Sequence, residues 1–120
     1  MIDNSSLHIS KNIHEMRLSS LPFSQIARGE KTYEVRLRDE KRRALSVGDE
    51  ILFRERDGAG VLRARVTALL PFPSFREAFS ALPPAKLGFP EGASGEEMHA
   101  YYTPPEEAKW GVLVIGIALL

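Results

Sequence analysis

The stretch Gly29-Glu30-Lys31-Thr32-Tyr33-Glu34-Val35-Arg36 concentrates chemically capable side chains at short spacing. An arginine grips a phosphate or a base edge through two parallel hydrogen bonds. A lysine beside another cation gives up its proton more easily and can serve as base or nucleophile. A glutamate accepts from an amino group such as that of cytosine, or fixes the lysine. Lys31 to Arg38 alternates as a strand does: Thr32, Glu34, Arg36 and Arg38 project one way, and Tyr33, Val35 and Leu37 the other. From spacing alone, the plain alternative is an exposed strand face of paired charges, which is worth little energetically.

Other chemistries find little support. The chain has no cysteine, which removes disulfide scaffolds, thiolate metal sites and cysteine nucleophiles, and is compatible with a reducing cytoplasm, the expected location. His8, His14 and His99 lack a recurring ligand spacing, and His14-Glu15 does not continue into HExxH because Leu18 stands where the second histidine belongs. No metal site is expected; His14 is the histidine best placed to share a cleft with the next strand. Gly58-Ala59-Gly60 is turn chemistry, and neither a phosphate loop nor a dinucleotide fingerprint nor a nucleophile elbow occurs, so no cofactor is expected.

Composition sets the frame. With 120 residues, 43% hydrophobic and 27% charged, the chain forms one domain with one core. Net charge is +0, which argues against a polybasic nucleic-acid binder. The charge is unevenly spread, however. Residues 1–65 carry 13 basic and 10 acidic side chains, and residues 66–120 carry 3 and 6. A local basic patch is therefore expected in the first half. The polar start lacks a signal peptide, and the apolar run Gly111–Leu120 is about half the length of a membrane span, so it reads as a buried strand and no membrane is expected.

These side chains need elements to position them. Residues 1–11 read as a flexible leader and residues 12–120 as a single domain. Asn12 to Leu18 reads as a short strand anchored by Ile13 and Met16. Ser19 to Gly29 reads as a helix, with Phe23, Ile26 and Ala27 on one face and Gly29 at its stop. Asp39 to Ala44 is a charged turn or helical turn. Glu50–Arg56 and Val61–Leu70 form a hairpin, with Pro71 breaking the second strand. Phe75 to Leu82 is a helix capped by Ser74, a second helix capped by Ser94 carries Met98, Tyr101 and Tyr102, and Pro104-Pro105 ends it. The sum is an α+β fold: a small, mostly antiparallel β-barrel with about three helices packed at its ends.

Gly29-X-Lys31-X-X-Glu34-X-Arg36 resembles the GxKxxExR signature of the activating signal cointegrator homology (ASCH) domain. Pro22-Phe23-Ser24-Gln25-Ile26, Val47-Gly48-Asp49-Glu50-Ile51-Leu52-Phe53, Ser74-Phe75 and Trp110-Gly111-Val112-Leu113-Val114-Ile115 resemble its flanking elements, so the likeness covers about residues 12–119. The resemblance implies a PUA-like barrel with a cleft that binds RNA or a nucleoside-like ligand. Lys31, Tyr33, Glu34, Arg36 and Arg38 are then the candidate ligand-binding residues, and Lys31 and Glu34 the catalytic candidates.

One family branch deacetylates N4-acetylcytidine with the signature lysine, a threonine three residues on and a distant glutamate. Lys31 matches the lysine, Glu34 stands at the threonine position, and Glu77 and Glu91 are candidates for the third role. RNA cleavage, proposed for other members, is a further alternative to binding.

Arg38, Lys41, Arg42 and Arg43, with Arg54, Arg56, Arg63 and Arg65, can track phosphates or form an ordinary solvated face. Tyr101, Tyr102 and Trp110 can stack on bases or pack in the core, and core packing is the commoner use of such residues. Phe72, Phe75 and Phe79 read as core.

Overall fold

The computed structural model describes residues 12–120, so the expected leader lies outside the described residues. Five strands form one mixed, curled half-barrel sheet: β1 (Ile13–Leu18), β2 (Tyr33–Leu37), β3 (Glu50–Glu55), β4 (Val61–Phe72) and β5 (Val112–Leu119). Their order is β1-β3-β4-β5-β2. Only β1 and β3 run parallel; each other neighbouring pair is antiparallel. The helices are α1 (Ser20–Ala27), α2 (Glu40–Arg43), α3 (Phe75–Ala81) and α4 (Pro104–Trp110), with 3₁₀ turns at Pro84–Leu87 and Glu96–Ala100. Among the described residues, no helix is long and apolar enough to cross a membrane.

The apolar β5 sits between β4 and β2, as a strand that is hydrophobic on both faces must. Its side chains alternate between two clusters. Leu113, Ile115 and Ile117 join Met16, Ile51, Phe53, Ala64 and Val66 on the concave face, where Ile26 of α1 covers them. Val112 and Val114 join Val35, Leu37, Phe75, Phe79 and Leu87 on the other face.

A bulge at Thr67 lies between the paired positions Val66 and Ala68. It flips the alternation, so Ala64 and Val66 face the concave cluster while Leu70 and Phe72 face the other. Gly116 permits it, because a Cβ there would lie 2.8 Å from Thr67 Oγ1.

Four local expectations change. Ile13 is 67% exposed, so Met16 and Leu18 anchor β1. Pro71 does not break β4; it is paired with Leu113 and the strand continues to Phe72. The segment after Ser94 is a 3₁₀ turn preceded by a left-handed Gly95, too short for the predicted helix. Pro104-Pro105 opens α4 rather than ending an earlier element: Thr103 and Glu106 form a capping box, and proline at the first helical position costs no hydrogen bond.

Candidate functional site

The segment between α1 and β2 is fixed from both sides. Gly29 takes φ 77°, the left-handed conformation that ends α1. The amides of Glu30 and Lys31 then donate to the Gln25 carbonyl. Thr32 N donates to the Lys86 carbonyl and Thr32 O accepts from Ile117 N, which ties the segment to the first 3₁₀ turn and to β5. Lys31 is thereby held at the mouth of β2.

Antiparallel register then sets the direction of the signature. Glu34 is opposite Ile115 and Arg36 opposite Leu113, so both carry their side chains to the concave face. The alternation holds, but the charged face is not solvated. Lys31 is 5% exposed and Glu34 4%. Lys31 Nζ lies 3.2 Å from Glu34 Oε1 and donates to the Leu87 carbonyl at 2.6 Å. Arg36 Nε donates to Glu34 Oε2 at 2.6 Å, and Arg36 Nη2 donates to the Arg17 carbonyl at 2.9 Å. One carboxylate is gripped by two cations.

Burial pushes the Glu34 carboxyl pKa up, but Lys31 and Arg36 outweigh that and hold it below the usual range. Burial lowers the Arg36 pKa and Glu34 raises it, with a net rise. Glu34 and Arg36 are therefore both ionised at neutral pH.

These residues form one wall of a cavity of about 510 Å³. α1 contributes Leu21, Pro22 and Gln25, the first 3₁₀ turn leads in through Leu87, Gly88 and Phe89, and the second brings Met98, Tyr101 and Tyr102. Among the described residues, four basic side chains line it, Arg17, Lys31, Arg36 and Arg56, against the single carboxylate of Glu34. Gly88, at φ 88°, lies against Lys31 and Gln25, and Gln25 Nε2 donates to the Gly88 carbonyl. Lys31 has a third N–H and Arg36 has further N–H groups beyond the bonds named, so both retain donors for a ligand. Excess positive charge beside aromatic rings in a partly enclosed cavity suits an anionic, planar ligand.

The other sequence candidates are placed as follows. Tyr33 packs against the cluster on the opposite face of the sheet, and Arg38 is exposed, its amide bonded to the Gly111 carbonyl. Neither lines the cavity. Glu77 lies in the first turn of α3, where its amide donates to the capping Ser74 Oγ, and Glu91 is an exposed loop residue; both stand outside the cavity. His14 Nε2 lies 2.9 Å from the buried Asp49 carboxylate, which also accepts from Ser46 N. That pair supports the start of β3 and takes no part in the cavity. Among the described residues, no group of three or more metal-ligating side chains forms.

By residue type, Tyr101 and Tyr102 are expected to pack in the core. Tyr102 does stack on Phe75, with ring centroids 5.7 Å apart, yet it also lines the cavity. Tyr101 is 68% exposed at the same cavity. Arg17 and Gly88 belong to no motif; they reach the site through folding alone.

The ASCH domain family model matches residues 16–120. Two solved structures are similar. One is the crystal structure of hypothetical protein PH0355, with 30% identity and a TM-score of 0.77, covering 90% of this chain and 99% of that one. The other is the solution NMR structure of protein PF0455 from Pyrococcus furiosus, with 32% identity and a TM-score of 0.66, covering 90% of this chain and 97% of that one. No curated protein matches.

Proposed function

Because the chain belongs to the ASCH domain family, which is generally RNA-associated, we propose that it recognises RNA or a nucleoside-like ligand in the cavity walled by Lys31, Glu34 and Arg36. The carrying observation is a buried lysine and glutamate, joined by a half-buried arginine, at one cavity wall. Each buried ion costs several kcal/mol in desolvation, and replacing such a cluster with apolar side chains is often neutral or stabilising. Stability therefore gives little reason to keep it, whereas ligand recognition gives one.

Each group has a role in this reading. Glu34, held ionised, accepts from the exocyclic amine or ring N–H of a base. Lys31 donates its remaining proton to a base carbonyl. Arg36, with Arg17 and Arg56, neutralises a phosphate. Tyr101 provides a face for stacking. Titration calorimetry with the four ribonucleoside monophosphates and a short single-stranded RNA tests this. Saturable binding that weakens with salt and is lost in Arg36→Ala supports it; no binding of any of them refutes it.

The 3.2 Å Lys31–Glu34 pair inside the cavity favours one second reading, hydrolysis of an N4-acylated cytidine with Lys31 as acid, base or nucleophile. Chromatography of N4-acetylcytidine incubated with the protein, with Lys31→Ala in parallel, separates the two. Turnover by the parent alone establishes the hydrolase, and absence of turnover at high protein concentration removes it. RNA cleavage needs an acid–base pair, and Glu34 is the only carboxylate lining the cavity among the described residues.

A further inference from the structure

A second, smaller cavity of about 230 Å³ lies beside the first and shares Arg17 and Arg56 with it. Its remaining walls are Arg54, Glu55 and the Gly58–Val61 turn that joins β3 to β4. The turn is tightly seated: a Cβ on Gly60 would lie 2.7 Å from the Phe23 ring, and Gly60 N donates to Glu55 Oε1. Glu55 is thus engaged by the turn itself. Several basic residues of this half of the chain have partners, and Arg38, Lys41 and Arg43, which form no ion pair among the described residues, line neither cavity. Arg63 pairs with Glu50, Arg42 with Asp39, and Arg65 donates to the Gly48 carbonyl. Arg17 and Arg56 form no ion pair among the described residues, and both are exposed where the two cavities meet.

Two charges without counter-ions, placed between two cavities, fit a bridging anion. We infer that the ligand is a single strand of nucleic acid. One nucleotide occupies the main cavity, its neighbouring phosphate lies between Arg17 and Arg56, and the next unit enters the smaller cavity beside Arg54. This rests on the nucleotide reading of the main cavity and adds that a free nucleoside fills only part of the site. A strand also explains why the cationic tract continues beyond the buried cluster. An isolated base needs Lys31, Glu34 and Arg36, but it does not need Arg54.

Fluorescence anisotropy with ribonucleoside monophosphates as competitors, and labelled random-sequence RNA of two, four and eight nucleotides, tests the inference. The octamer is expected to bind at least tenfold tighter than a monophosphate. Arg56→Ala is expected to weaken the octamer roughly tenfold, as loss of one charge-assisted contact does. It should also reduce the salt slope by about 0.7, the value for one single-strand phosphate contact. Arg54→Ala, whose pairing with Glu15 is exposed, should weaken the octamer while monophosphate binding stays within twofold. Equal affinity for monophosphate and octamer, or tighter binding of duplex than of single strand, overturns the strand and leaves the main cavity's reading intact. Binding of neither overturns both.

Discussion

Arg36 donates from Nη2 to the main-chain carbonyl of Arg17 at 2.9 Å, and this bond links the two edge strands of the sheet, β2 and β1. The half-barrel is open between those edges, and a side chain spans the gap. The same guanidinium grips Glu34 through Nε. One residue therefore links the two open edges of the sheet and contacts the carboxylate at the cavity wall. Structure and proposed recognition are coupled through Arg36.

Replacing Arg36 separates these contributions. Arg36→Ala removes the edge link but leaves Lys31 to neutralise Glu34. The expected loss is about 2 kcal/mol, less than the ~3–5 kcal/mol of a buried pair broken outright. Arg36→Lys keeps the charge without the planar fork, so it should recover only part of the stability and little of the binding. Urea denaturation monitored by circular dichroism, alongside ligand titration, checks both.

Glu34→Gln strikes the centre of the cluster. It leaves Lys31 and Arg36 facing a neutral amide, and we expect a loss of about 3–5 kcal/mol near neutral pH. The pH dependence has a definite sign. The folded-state pKa of Glu34 lies below its unfolded value, so protonation favours the unfolded chain. Its contribution is complete above the unfolded value of about 4.3 and is lost as pH falls through the lower folded value. Denaturation midpoints measured between neutral pH and pH 3 should therefore decline more steeply for the parent than for Glu34→Gln. Parallel declines would contradict the ionised carboxylate.

Gly88→Ala tests the cradle under Lys31. A Cβ at Gly88 would lie 2.7 Å from Gln25 Oε1 and 3.0 Å from Lys31 Cδ, and the backbone there has φ 88°. The left-handed conformation alone costs an L-residue about 1–2 kcal/mol. The substitution should lower the thermal midpoint and, by displacing Lys31 and Gln25, weaken ligand binding. Differential scanning calorimetry and titration read the two effects.

Tyr101→Ala should do the reverse. The side chain is 68% exposed, so stability should change by no more than ~0.5 kcal/mol. Loss of a stacking face should cost about 1–3 kcal/mol of affinity for single-stranded RNA, and Tyr101→Phe should retain it. Unchanged affinity in Tyr101→Ala would remove Tyr101 from the site.

Much of this arrangement is legible before folding. Alternation in Lys31–Arg38 places Glu34 and Arg36 on one face, and the apolar Val112–Leu119 run requires a buried strand. What alternation cannot tell is which face meets solvent. The charges of β2 read as an exposed surface because burial depends on the partner strand, and only the pairing of Glu34 with Ile115 turns them inward. The bulge at Thr67 has no local mark for a similar reason, since the room for it comes from the missing side chain of Gly116 on another strand. Helix α4 was readable in local terms: Thr103-Pro104-Pro105-Glu106 is a capping box with proline in the first turn, and reading the prolines only as breakers hides it. Arg17 and Tyr101 converge from separate segments, and no local spacing marks them.

The central claim is the location of the ligand, and amide chemical-shift mapping of the full chain with a short single-stranded RNA tests it most directly. The account predicts that the largest changes fall on Lys31–Arg36, Leu87–Phe89 and Met98–Tyr102, the segments that wall the main cavity. Changes confined to the basic helix α2 at Lys41–Arg43, with those segments unmoved, would contradict it.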